Sequence, residues 1–141
     1  SLTGRENLRF VSRIYGADIK KVTAYVEDFA ELGPYLDMPI KTYSSGMKSK
    51  LAFGLSMAIS FDFYLIDEAF SVGDATFRAK ATRALKERTA QATLIFVSHS
   101  TAAVRQACVC GAVLNAGTLV YYPVLADAIK HYSEICDAKR S

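Results

Sequence analysis

The chain has 141 residues, 51% of them hydrophobic, and a formal net charge of +3. That suffices for one globular unit with a buried core, while its lysines and arginines are spread along the chain, which argues against nucleic acid as a partner. The three cysteines are an odd set, and Cys108-Val109-Cys110 lacks the two-residue spacer of a zinc or redox pair, so buried or idle cytosolic thiols are expected.

Thr3-Gly4-Arg5-Glu6 has the form of a capping box, opening a helix that runs through Tyr15 and stops at Gly16. Asp18 caps a second helix with Val22, Val26, Phe29 and Ala30 on one face, ended by Gly33-Pro34. A loop through Pro39 leads to Tyr43-Ser44-Ser45-Gly46 and a helix from about Met47 to Ser60. Leu51 to Ile66 is almost continuously apolar, but Gly54, Ser56, Ser60 and Asp62 interrupt it. A buried helix and then a buried strand fit better than a membrane span, which needs about 20 predominantly apolar residues; no signal peptide is visible.

Beyond Asp62 strands alternate with helices: strand 63–67, helix 75–90, strand 92–98 and helix 101–109. Alternation implies a parallel sheet with helices on its faces. Neither strand alternates apolar with polar residues, which predicts that both faces are covered. Ala112-Val113-Leu114 and Thr118-Leu119-Val120-Tyr121 flank Asn115-Ala116-Gly117, a hairpin with glycine available for positive φ. A terminal helix begins near Pro123 and carries Asp127, Ile129, Tyr132 and Ile135. The fold class expected is α/β, a helical subdomain followed by a mainly parallel sheet flanked by helices. The chain opens on Ser1, not Met, and goes straight into a capped helix, as expected of a truncated product or a domain cut from a longer chain.

The chemistry begins at Ser44. From Ser44 to Phe61 there is no acidic residue, yet Lys48 and Lys50 stand in the helix's first turn, where positive charge opposes the macrodipole at a cost of about 0.3–1 kcal/mol each. Free N–H groups, hydroxyls and unpaired lysines at a helix start suit an anion, phosphate above all. A plain serine N-cap fits the same residues without a ligand. Phe63-Tyr64-Leu65-Ile66-Asp67-Glu68 is an apolar strand ending in paired carboxylates, at the edge where open α/β sheets bind ligands; a solvated acidic strand end is the plainer reading. Thr93 to Val97 is a second apolar strand, and His99 just beyond it is placed to donate to a phosphate and sense its loss, or to sit in a surface loop. Asp74, closing Ser71-Val72-Gly73-Asp74, also suits the N-cap of the helix that follows. His131, in the last helix, has no evident partner and reads as surface.

Taken in order, these pieces resemble the second half of an ATP-binding cassette (ABC) ATPase: signature motif, Walker B strand, D-loop and switch histidine. The usual signature is Leu-Ser-Gly-Gly-Gln. Here Tyr43 replaces the leucine, Ser45 the first glycine and Met47 the glutamine, while Ser44 keeps the hydroxyl and Gly46 the permissive backbone. Ser45 would be strained, by roughly 1 kcal/mol, only at positive φ. The D-loop, usually Ser-Ala-Leu-Asp, matches Ser71 to Asp74 at its ends alone.

The resemblance implies a P-loop NTPase cassette in which residues 1–46 form the helical signature subdomain and residues 47–141 the C-terminal part of the RecA-like nucleotide-binding core. It implies ATP and Mg²⁺, with Asp67 at the metal, and Glu68 and His99 as the catalytic pair. Ser44, Ser45, Gly46, Met47, Lys48 and Asp74 would contact the nucleotide. Tyr43 to Met47, Leu51 to Ala58, and Val72-Gly73-Asp74 with Phe77 and Lys80 are similar to the ATP-binding subunits of bacterial polysaccharide exporters. Ser1 to Asn7 and Phe61 to Tyr64 look most like the capsular group, although O-antigen and teichoic acid exporters share several of these strings. No residue here addresses a glycan, so the substrate class comes from the resemblance alone. Implied partners are a second copy in a nucleotide-sandwich dimer and a membrane-spanning permease, which alone contacts the polysaccharide. The implied location is peripheral, on the cytoplasmic face of the bacterial inner membrane.

No G-x-x-x-x-G-K-[ST] occurs in the sequence. The family's aromatic adenine contact, P-loop and Q-loop glutamine would precede Ser1, so the chain alone is expected neither to bind ATP well nor to hydrolyse it. Two alternatives stand beside the exporter reading. One is a non-transport ABC ATPase, whose long coiled coils or second cassette are not visible. The other is a non-catalytic or degenerate cassette fragment that acts only as a pairing module, against which the retention of Glu68 and His99 argues.

Overall fold

The computed structural model of the protein describes residues 2–67 and 74–138. Glu68 and Ser71-Val72-Gly73 lie outside the described residues. The described chain forms two compact units, one of residues 2–64 and 74–93, the other of residues 65–67 and 94–138.

The first unit is built on helices whose starts are fixed locally. In α1, Gly4–Ile14, the Thr3 hydroxyl accepts from the Glu6 N–H and the Glu6 carboxylate from the Thr3 N–H, the reciprocal box read from the sequence. Asp18 caps α2, Ile19–Ala30, and Ser44 caps α3, Ser45–Ala58. Two short 3-10 turns, Gly33–Asp37 and Ile40–Thr42, join α2 to α3. Leu8, Val22, Val26, Ala30, Leu36, Tyr43, Leu51 and Leu55 form the buried centre. Helices α2 and α3 approach closely because Gly54 is buried between them. A Cβ there would meet Phe29 Cδ1 at 3.3 Å and Val26 Cγ1 at 3.5 Å. Arg5 bridges Glu27 at 2.6 Å and Asp37 at 2.8 Å, tying α1 to α2 and to the first 3-10 turn. Helix α4, Ala75–Thr89, is capped by Asp74 and buries Phe77, Ala81, Ala84 and Leu85.

Strands β1, Phe63–Asp67, and β2, Thr93–Val97, are hydrogen-bonded neighbours in a small parallel sheet. The Thr93 N–H donates to the Asp62 carbonyl at 2.9 Å, aligning the two strand starts. The expectation that both faces are covered fails here. Leu65 is 75% exposed, Ile95 48% and Val97 58%. An apolar run encodes burial on both sides, but among the described residues no layer lies over that face.

The second unit continues with α5, Thr101–Ala107, then an antiparallel hairpin of β3, Gly111–Asn115, and β4, Thr118–Tyr122, and α6, Leu125–Ala138. Its turn needs positive φ at two residues, Ala116 at 47° and Gly117 at 81°, the backbone of a tight hairpin matched to strand twist. Helix α6 crosses β3 at Gly111, where a Cβ would come within 3.0 Å of Ala128 Cβ. His131, read as an unpartnered surface residue, instead lies 2.9 Å from the Tyr122 hydroxyl and is half-buried. That partner comes from β4, on an element the helix pattern does not reveal. All three cysteines are free thiols.

Candidate functional site: a serine-led helix tip and an acidic strand edge

Ser44 has extended backbone, and its hydroxyl accepts from the Met47 N–H at 3.2 Å. The Lys48 N–H goes to the Ser44 carbonyl at 3.0 Å. The N–H groups of Ser45 and Gly46 therefore remain as first-turn donors without an intrahelical acceptor, and the Ser44 hydroxyl hydrogen is free to donate. Ser45 carries no positive φ, so replacing the signature's first glycine costs no backbone strain. Gly46 is not at positive φ either. What it supplies is space, since a Cβ built there would meet only Ser44 Oγ, at 3.9 Å.

Behind the tip, Tyr43 is buried and its hydroxyl donates to the Tyr35 carbonyl at 2.5 Å. Burial raises its pKa, so the phenol stays neutral and anchors the turn. Lys48 is exposed at the tip. Open donors, a hydroxyl and a gap beside Gly46 fit phosphate oxygens.

Lys50 is not one of the unpaired lysines expected. Its Nζ lies 3.6 Å from the Asp74 carboxylate and 5.1 Å from the centre of the Phe77 ring. The acid missing from Ser44 to Phe61 thus arrives from α4. Asp74 is the helix cap foreseen, its carboxylate accepting from the Phe77 N–H at 2.8 Å. That backbone bond first, and Lys50 second, hold its pKa below the usual aspartate value. The structure therefore brings the signature helix and Asp74 together within one unit.

Asp67 is the last residue of β1, and His99 follows the last residue of β2 by two. Because the strands are parallel neighbours, both residues lie on the same, carboxyl-terminal edge of the sheet. Ser98 and Ser100 shape that edge. The Ser98 hydroxyl accepts from the Ser100 N–H at 3.0 Å, and Ser100 caps α5. Asp67 is exposed, as a carboxylate must be to reach a cation shared with phosphate and water oxygens. Among the described residues no three acidic, histidine or cysteine side chains gather around one point. Glu68 lies outside the described residues.

No protein-family model matches the chain. It is 47% identical over 135 residues to the polysialic acid transport ATP-binding protein of Escherichia coli, covering 94% of this chain and 60% of that protein. It is also 47% identical over 135 residues to the capsule polysaccharide export ATP-binding protein of Neisseria meningitidis serogroup B, covering 96% and 62%. Over the length it spans, the chain is thus similar to proteins named for ATP binding in polysialic acid transport and capsule polysaccharide export. A teichoic acids export ATP-binding protein of Bacillus anthracis is 39% identical over 137 residues. In fold the chain is similar to a solved ATP-binding subunit of an ABC transporter, with a TM-score of 0.77 at 19% identity, over 94% of this chain and 63% of that one. The chain thus spans about three fifths of the Escherichia coli and Neisseria meningitidis relatives and a quarter of the Bacillus anthracis one, and corresponds to the C-terminal part of the capsule export proteins.

Proposed function

We propose that this chain supplies the signature-and-edge half of the nucleotide site in an ABC ATPase that drives export of a capsular or related cell-surface polysaccharide. The observation that carries the reading is the serine-capped tip of α3, with open N–H groups and a gap at Gly46, on a chain whose relatives are named as capsule export ATP-binding proteins. In this reading residues 1–46 are the helical signature subdomain and residues 47–141 the C-terminal part of the nucleotide-binding core.

The Ser44 hydroxyl and the Ser45 and Gly46 amides donate to the phosphates of ATP held by a second copy, with Met47 packed beside them and Lys48 adding charge. On its own copy's nucleotide, Asp67 takes a position on the Mg²⁺ shell, Glu68 orients the attacking water and His99 donates to the γ-phosphate. When bound, Mg²⁺ would neutralise charge on the phosphates, with Asp67 as the residue that would help hold it. ATP closes the pair of copies, hydrolysis lets them part, and a permease at the cytoplasmic face of the bacterial inner membrane couples that motion to the polysaccharide.

Without a P-loop cradle the chain by itself holds ATP weakly, and titration calorimetry with Mg-ATP is expected to give a Kd above about 1 mM. Micromolar binding would sink that expectation. In a protein that joins this chain to a P-loop segment, Glu68→Gln should leave ATP binding intact, lower turnover by roughly a hundredfold or more and favour the closed dimer. Unchanged turnover removes Glu68 from its role. If the unsubstituted protein pairs with a partner yet hydrolyses nothing, the chain is a pairing module instead.

A further inference from the structure

Three helices of the first unit meet at an aromatic cluster. Phe29 of α2 and Phe53 of α3 stack at 5.8 Å, and Phe77 of α4 stands edge-on to them at 5.4 and 6.3 Å. Two ammonium groups cap the cluster. Lys50 Nζ lies over Phe77 and 3.6 Å from the Asp74 carboxylate. Lys80 Nζ lies 5.3 Å from the Phe29 ring centre and 2.7 Å from the Glu31 carboxylate, and donates to the Asp28 carbonyl at 2.8 Å.

The spacing explains the arrangement. Asp74, Phe77 and Lys80 recur every third residue along α4, as Lys50 and Phe53 do on α3, so charge and ring share a face. A cation set on a ring and bound to a carboxylate loses water from one side, which strengthens both attractions. The four charges also act on one another. The Glu31 pKa is lowered first by its hydrogen bond from Lys80 and further by the charges of Lys80 and Lys50, while Asp74 works in the opposite direction.

We infer that Lys50 and Lys80 are positioning residues that clamp the first turns of α4 to the serine-led helix α3 and to the end of α2, holding Asp74 in register with the Ser44 tip. A pull on the tip by phosphate then carries Asp74 with it. This deepens the proposed function, on which its catalytic consequence rests. Lys50 is thereby assigned to Asp74 and not to the nucleotide.

Lys50→Met keeps the aliphatic stem and removes the charge; Asp74→Asn keeps an N-cap acceptor. In an ATP-hydrolysing protein that carries this chain, each should slow turnover roughly three- to tenfold with KM for ATP within about twofold, and the double variant should be no slower than either single. Lys50→Arg should restore most of the rate. Losses that multiply, an arginine variant as slow as the methionine one, or a raised KM at unchanged turnover would each overturn the clamp. If the unsubstituted protein hydrolyses no ATP, the functional reading falls, and the clamp is decided on the 141-residue chain. There, carboxyl ¹³C titration should move Glu31 to higher pH in Lys50→Met and to lower pH in Asp74→Asn. A Glu31 titration indifferent to both overturns it.

Discussion

Ser44 has two tasks that a single substitution confounds. As N-cap it accepts from the Met47 N–H, and in the proposed function its hydroxyl hydrogen meets a phosphate oxygen. Ser44→Ala removes both, with about 1 kcal/mol of stability lost from the cap alone. Ser44→Asp separates them. Aspartate is as good a cap as serine and complements the helix dipole, so the melting temperature should match or exceed that of the parent. The same carboxylate repels phosphate, so ATP-driven dimerisation should still fail. Thermal melting and light scattering with Mg-ATP check the two halves. An aspartate variant that melts normally and also dimerises normally would leave Ser44 as a cap and nothing more.

Between elements, the position of that tip depends on how α3 lies against α2. Gly54 lies in their contact, with Phe29 Cδ1 and Val26 Cγ1 at 3.3 and 3.5 Å from an added Cβ. Gly54→Ala gains about 1 kcal/mol of helix propensity and spends much of it on the 3.3 Å approach, so its urea midpoint should change little. Gly54→Val drives branched carbon into the same gap and should cost about 1–3 kcal/mol. Equal midpoints for valine and glycine would mean the helices part without loss. The same contrast marks what the sequence discloses about elements. Thr3 with Glu6, Asp18, Ser44 and Asp74 cap helices where their local patterns said they would, because a cap is made within three residues of itself. Lys50 looked unpaired because its partner Asp74 belongs to another helix, and no local count of charges reaches that far. His131 was misread for the same reason, its partner Tyr122 being on a strand. The permissive backbone read at Gly46 goes unused, since the residue is not at positive φ and a Cβ there would meet only Ser44 Oγ at 3.9 Å.

Across the whole molecule, the apolar pattern of β1 and β2 asks for more cover than the described residues provide. Leu65, Ile95 and Val97 fall at alternate positions of neighbouring parallel strands, so they share one face, and that face is open. Patches of this kind mark a surface that another segment or chain covers. The relatives extend well beyond the length matched here, and one pair of substitutions tests whether a longer chain covers this face. In the 141-residue chain, Leu65→Thr with Ile95→Thr should reduce self-association and hydrophobic-dye binding while leaving stability within about 0.5 kcal/mol, as exposed sites do. In a longer protein where the face is covered, the pair should lower stability by about 2–5 kcal/mol, because buried leucine and isoleucine side chains each contribute about 1.5–3 kcal/mol and threonine would bring an unsatisfied hydroxyl. Sedimentation and dye fluorescence on the short chain, with denaturant unfolding on the long one, give the comparison. Small effects in both settings would make this face ordinary surface, and its apolar run would then need an explanation other than burial.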